Sequence, residues 1–366
     1  MTVLPPDAER YLVRMRSLDP PIELVDSIMA EVEATPQLRP APDLRTVSGF
    51  VLAAAAVLLA IAVLFRLGAQ NVGPPPTPVP LDQLPSAGTV DAQISMEVGD
   101  VPAAFGHGFL WLTNANSGEL VRLDPANGSI ASPLQVTDAG LGVALALTQS
   151  SVWVADSRDG TLVEIDPATL DERRRVPVSA SVAVMATDGV DIWLLDVEAG
   201  ELSPFDPNDH SLGQALEIQG SALLAHAGAV WVGTVGGELV RIDPASSQET
   251  GRVDLGMTAN QLVADGESIL VVGGPREPIV RVDLGSMTIS GRGTTAASLA
   301  AEDGLVWAML LPGSIARLDP ESLQPVAATD VALEPTAQLA VGGGSLWAPV
   351  VDPIGDAYLL QFLPER

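Results

Sequence analysis

The sequence contains no Cys and no Lys. Without Cys there is no disulfide, no zinc–thiolate site and no thiol nucleophile. All 18 basic residues are Arg, set against 46 Asp and Glu, for a net charge of −28. A nucleic-acid partner is excluded, because phosphates demand a positive surface. Peripheral docking of the acidic part on anionic lipid is excluded for the same reason.

Charge is also missing locally. Residues 46–65, TVSGFVLAAAAVLLAIAVLF, carry none across 20 positions. About 20 apolar residues at 1.5 Å rise span the roughly 30 Å hydrocarbon core, so a transmembrane helix is expected over 46–66. A cleaved signal peptide fits poorly. Forty-five residues precede the run, and Leu67 stands where a small residue would be wanted before Ala69. Arg10, Arg14, Arg16, Arg39 and Arg45 precede it, while Arg66 is followed by no Arg until Arg122. The positive-inside bias places the N-terminus in the cytoplasm and the rest outside the cell membrane. Residues 67–88 read as a Pro-rich linker, with six Pro in GPPPTPVPLDQLP (73–85). A polyproline spacer of this kind reaches roughly 35–40 Å at about 3.1 Å per residue.

Residues 1–45 form a charged, Pro-punctuated tail with two expected helices. Ala8, Tyr11, Leu12, Met15 and Leu18 recur at helical spacing, as do Ile22, Val25, Ile28, Met29 and Val32. Two short helices bury too little surface to fold strongly alone. The apolar stripe therefore points to a cytoplasmic partner or to self-association.

What is present from residue 89 onward is repetition. SVWVADSRDGTLVEIDP (151–167) returns as AVWVGTVGGELVRIDP (229–244). All six Trp occupy one slot of this repeat: Trp111, Trp153, Trp193, Trp231, Trp307 and Trp347. Leu270 fills the slot between Trp231 and Trp307. The seven positions are then 42, 40, 38, 39, 37 and 40 residues apart. Each unit reads as four short strands broken by Gly, Asp, Asn or Ser, which is the pattern of a propeller blade. The expected fold class is all-β: a seven-bladed β-propeller of four-stranded blades over residues 89–366. The recurring Asp-Pro would end each third strand, Asp bonding forward and Pro presetting φ. Asp283 is followed by Leu284 instead, so a looser turn is expected in the fifth blade. The Trp are expected to fill the space between adjacent blades. The last repeat stops after three strands, and Ala92–Val98 should supply its fourth, closing the ring and removing an open sheet edge.

VWVADSRDGTLVEIDPATL and LVRIDP resemble the bacterial propellers of the NHL, YVTN and streptogramin-lyase-like superfamily, across residues 89–366. The resemblance implies the propeller fold and leaves function wide, since members include lyases, lactonases and extracytoplasmic sensor domains. The streptogramin lyases would bring a His acid/base and Mg²⁺; none of their site residues is matched here. In layout, a short helical tail, one span and an outer domain, the chain is similar to anti-sigma-like membrane proteins. PPIELVDSIMAEVEATP resembles their pre-membrane segments, although the His-x₃-Cys-x₂-Cys zinc motif of many members is missing. That resemblance implies a sigma factor as the partner of the tail.

The innermost strands read as small and apolar, with Asn260, Gln261 and Gln338 the main polar exceptions, a poor cage for a hard cation. His107, His210 and His226 all sit in turn positions, so no catalytic residue is assigned. The remaining candidates lie on loops between second and third strands: Asp156, Arg158, Asp159, Asp196, Glu198, Arg276, Glu277, Asp352 and Asp356. They suit a polar docking face for a peptide, glycan or cation. No cofactor is expected, with Ca²⁺ or Mg²⁺ at the acidic surface the only one left open. The function expected is a non-enzymatic, membrane-anchored sensor or interaction module. The alternatives are a membrane-tethered lyase or hydrolase and a scaffold of envelope assembly.

Overall fold

The computed structural model describes residues 79–96, 103–114, 116–137, 143–178 and 181–365. The expected tail and transmembrane helix lie outside them. Among the described residues no helix is long and apolar enough to cross a membrane.

Seven antiparallel sheets follow one another along the chain. Blade two is the plainest: Val143–Leu147, Val152–Asp156, Thr161–Ile165 and Glu172–Pro177 pair in that order from first strand to fourth. The first strands of successive blades contact one another in an unbroken circuit, blade seven returning to blade one. They therefore line the axis of a closed seven-bladed propeller. The fourth strand is broken into two short pieces in blades one and three, Ser129–Ile130 with Leu134–Gln135 and Ser211–Leu212 with Leu216–Glu217.

The Trp slot is the interface between blades. Each Trp packs in the apolar cluster joining its own blade to the next, and Leu270 does the same between blades five and six. All six indoles are at most 3% exposed. Burying a ring of this size contributes about 3–5 kcal/mol relative to Ala. Opposite each Trp on the third strand lies a residue that binds the next blade in three cases. Arg122 pairs with Trp111 and donates from Nη1 to Pro167 O at 2.6 Å. Arg317 pairs with Trp307 and donates to Glu365 O at 3.1 Å. Gln361 pairs with Trp347 and donates to Pro125 O at 3.3 Å. The Arg of LVRLDP is thus a staple between blades, a role the sequence reading did not give it.

The Asp-Pro turns behave as expected. Asp124, Asp166, Asp206, Asp243 and Asp319 each accept a backbone N–H two or three residues ahead. The residue four positions after each Asp has positive φ: Gly128, Leu170, His210, Ser247 and Leu323. The looser turn expected at Asp283 is not found. Asp283 accepts from Ser286 N–H at 2.7 Å and Ser286 Oγ at 2.6 Å, and Met287 takes the same positive φ. The forward carboxylate bond and the turn length set this geometry, and Pro only presets it.

Ring closure takes the expected form with an earlier start. The described part of the fourth strand of blade seven runs Gly88–Met96, starting before the expected Ala92, and pairs antiparallel with Ala357–Pro364; the expected end at Glu97 and Val98 lies outside the described residues. The long third strand offers partners for Thr89 and Val90 at Leu363 and Phe362, with a bulge between Val90 and Ala92. Gly88 has φ 151, and a Cβ there would stand 2.1 Å from Leu363 O. Residues just before it, at the end of the expected linker, lie against blade six. Leu81 packs on the cluster between blades five and six, and Ala328 N–H donates to Pro85 O at 2.9 Å. Thr329 accepts from Ala87 N–H and donates to Gly88 O.

Candidate functional site

Register decides which loops share a face. In each blade the start of the first strand pairs with the end of the second: Val143 with Asp156, Val182 with Asp196, Gly220 with Thr234, Gln261 with Val272. The loops between second and third strands therefore stand around the same end of the axis as the starts of the first strands. At this end lies a cavity of about 420 Å³. Its wall is built from those strand starts in six blades, including Ala104, Ala144, Val184, Ser221, Asn260 and Gln338. This end is called the channel mouth below, and the end bearing the Asp turns is the turn face.

The cavity lining holds no ionisable side chain. Its small apolar residues leave room on the axis, and its polar residues divide into two kinds. Ser221 and Gln261 bind neighbouring blades: Ser221 Oγ donates to Ala259 O at 2.8 Å, and Gln261 Nε2 donates to Leu299 O at 2.8 Å. Ser298, at the same strand start in blade six, accepts from Leu339 N–H at 3.2 Å. Asn260 and Gln338 are exposed to the cavity, Asn260 with one bond from Nδ2 to Gly273 O at 3.0 Å. The axis thus offers a neutral, partly apolar recess with carboxamides on its rim.

The nine loop residues fall around this mouth, distributed over blades two, three, five and seven. Four of the carboxylates are turned toward the backbone as caps of their own loops. Asp156, 3% exposed, accepts from Arg158 and Asp159 N–H at 3.1 and 3.2 Å. Asp196, 6% exposed, accepts from Ala199 N–H at 2.8 Å. Asp352 accepts from Ile354 and Asp356 N–H at 3.0 and 2.9 Å. Glu277 does likewise, accepting from Gly274 N–H at 2.6 Å. A carboxylate that satisfies loop N–H groups holds the loop in shape. Arg158, Asp159, Glu198, Arg276 and Asp356 are exposed at the tips, and Glu198 accepts from Ser181 Oγ at 3.3 Å. In blade seven, partial removal from water and then the Asp352 and Asp356 carboxylates push the Tyr358 phenol above its ordinary pKa. Among the described residues no group of three or more His, Asp or Glu is placed to hold a metal ion.

The three His lie away from the mouth. His107 and His210 sit in turns at φ 56 and 62, and His226 ends a first strand, its Nε2 2.8 Å from Gly266 O. His210 belongs to an ionic cluster at the turn face, with Nδ1 3.1 Å from Arg174 and Nε2 3.6 Å from Glu164. There Arg173 Nη2 reaches Asp166 Oδ2 at 2.5 Å, and this bond with the turn N–H groups holds the Asp166 carboxyl down at about 2. The cluster ties blade two to the turn of blade three.

No family model and no curated protein matches the chain by sequence. Solved structures of similar shape are β-propellers. The β-propeller domain of Cps50 (Swd1) from Myceliophteria thermophila is similar at TM-score 0.63 and 12% identity, over 76% of this chain and all of that one. The Pan2 WD40 domain of Neurospora crassa is similar at 0.60 and 13%, over 80% of this chain and 98% of that one. BamB of Moraxella catarrhalis is similar at 0.52 and 14%, over 75% of this chain and all of that one. At these identities the likeness establishes the propeller fold.

Proposed function

We propose that the propeller is an interaction module that holds a protein partner at the channel mouth. The observation that carries this is the chemistry of that end: an uncharged recess ringed by loop tips, with the inward carboxylates committed to loop shape. Such a surface supplies contact area and hydrogen-bonding amides. It presents no assembled acid, base or nucleophile to a bound small molecule.

The reading extends to the whole chain. Residues 46–66 anchor it in the cell membrane, supported by the charge-free run between Arg45 and Arg66. The propeller then stands outside the cytoplasm as a sensor of the NHL/YVTN kind. The apolar stripe from Ile22 to Val32 engages a cytoplasmic protein such as a sigma factor, in the anti-sigma manner.

Photo-crosslinking in cells from full-length chains tests the module. A crosslinker at position 158, 198, 276 or 356 is expected to join a discrete protein. The same group at 127, 245 or 286 on the turn face is expected to give none. Adducts only from the turn face would overturn the assignment.

A further inference from the structure

Three of the large aliphatic residues that stand exposed recur at one slot of the repeat, and a fourth lies in the same loop of another blade. Val197 directly follows the second strand of blade three, Val235 that of blade four, and Leu311 that of blade six; Ile354 tops the corresponding loop of blade seven. Their exposures are 38, 54, 50 and 84%. Blade five places an exposed Pro275 in the same loop. None of the four packs into any of the apolar clusters between blades.

Single aliphatic residues on a surface are ordinary. A recurrence at one turn slot is different. Turns favour Gly, Asn, Asp and Ser, and blade one uses Asn116 and Ser117 in this loop. The aliphatic tips stay outside the clusters that join the blades, and all of them stand in loops at the channel mouth.

Charge decides what can sit on them. The rim carries exposed carboxylates at Asp159, Glu198 and Asp356, and at Asp330 and Glu334 on the connection from blade six to blade seven, against exposed Arg158 and Arg276 at the loop tips. Residues 86–366 hold 37 Asp and Glu against 12 Arg. A second copy would bring the same acidity. The chain's own first 78 residues hold eight acidic residues against six Arg, so they are no better matched.

We propose that the aliphatic tips form a docking crown for a basic polypeptide segment of a partner protein. Its apolar side chains rest on Val197, Val235, Leu311 and Ile354, and its Lys or Arg residues meet the rim carboxylates. This rests on the assignment of the channel mouth as the partner surface. Apolar anchors give such an interface its hold, and the opposed charges give approach and register.

The test is a titration of the full-length chain with three short fluorescent peptides of equal length: Arg/Leu, Arg/Ser and Glu/Leu. The Arg/Leu peptide is expected to bind most tightly and to weaken as salt rises. The double variant Leu311→Asp with Ile354→Asp discriminates, since both side chains are exposed and its Tm is expected to match the parent. Two added carboxylates would tighten binding to a merely acidic surface. The crown requires the Arg/Leu peptide to bind about tenfold more weakly, which is about 1.4 kcal/mol. Unchanged or tighter binding by the variant, or equal binding of Arg/Ser or Glu/Leu, overturns the crown. Competition separates this from the broader reading. Crosslinks at the channel mouth that the Arg/Leu peptide fails to displace refute the basic segment and leave the module standing. Loss of those crosslinks in the presence of the peptide supports both.

Discussion

Gln261 holds Leu299 with both ends of its carboxamide. Nε2 donates to Leu299 O at 2.8 Å, and Leu299 N–H donates to Oε1 at 2.9 Å. Gln261 is on the first strand of blade five, Leu299 on that of blade six, and both are buried. The side chain imitates a strand and joins two sheets at the axis. Gln261→Leu leaves a buried backbone donor and acceptor unpaired, and is expected to cost about 1–3 kcal/mol in urea unfolding. Gln338→Leu, exposed in the same cavity, is expected to leave stability nearly unchanged. Equal effects would refute the staple.

The indoles are not equivalent. Trp111, Trp231 and Trp347 each donate from Nε1 to the carbonyl five residues earlier, Gly106, His226 and Gly342. Trp153 Nε1 is buried with no hydrogen-bond partner among the described residues. Trp231→Phe therefore loses a bond worth about 1 kcal/mol as well as volume. Trp153→Phe loses volume and removes an unsatisfied donor. The Trp231 variant is expected to unfold at lower urea, and the reverse order would contradict this accounting.

The turn carboxylates set an acid limb. Asp166 titrates at about 2 in the folded chain, below its ordinary 3.8, chiefly because Arg173 donates to it. Its folded pKa lies below its unfolded one, so its contribution is present in full above the unfolded value. It is lost as pH falls from about 4 toward 2. Asp166→Asn is expected to lower Tm at neutral pH and to flatten the drop in Tm across that window. An unaltered acid limb would show that the pair does not act on stability.

Closure of the ring depends on a short approach at Gly88. A Cβ there would meet Leu363 O at 2.1 Å, so Gly88→Val is expected to cost on the order of 1–3 kcal/mol. A chain starting at residue 97, which lacks the closing strand, is expected to expose the Ala357–Pro364 edge and to aggregate. One starting at residue 79 is expected to keep the parent Tm. A soluble, cooperatively folding chain from residue 97 would refute closure by this strand.

Much of the fold was legible because it repeats. One Trp slot, one Asp turn and a spacing near 40 residues fixed the number of blades and the interfaces. Leu270 could be placed in the Trp slot only because its neighbours kept the period. The turn at Asp283 misled because Pro was credited with a geometry that the carboxylate makes. A start at Ala92 comes four residues late, since Gly88 reads as the end of the linker until its partner at Pro364 is seen. The loop positions are legible in the sequence, and the direction of their side chains is not. Whether Asp156 or Asp196 faces solvent or its own backbone is a matter of loop geometry. The aliphatic tips at Val235 and Leu311 are hidden in the sequence, because apolar letters beside a strand read as its continuation.

The most direct measurement is hydrogen–deuterium exchange on the full-length chain with and without saturating Arg/Leu peptide. The account predicts slowed exchange in the loops 196–200, 234–237, 310–313 and 351–356. Protection confined to the Asp turns, as at 243–247 and 283–287, would contradict it.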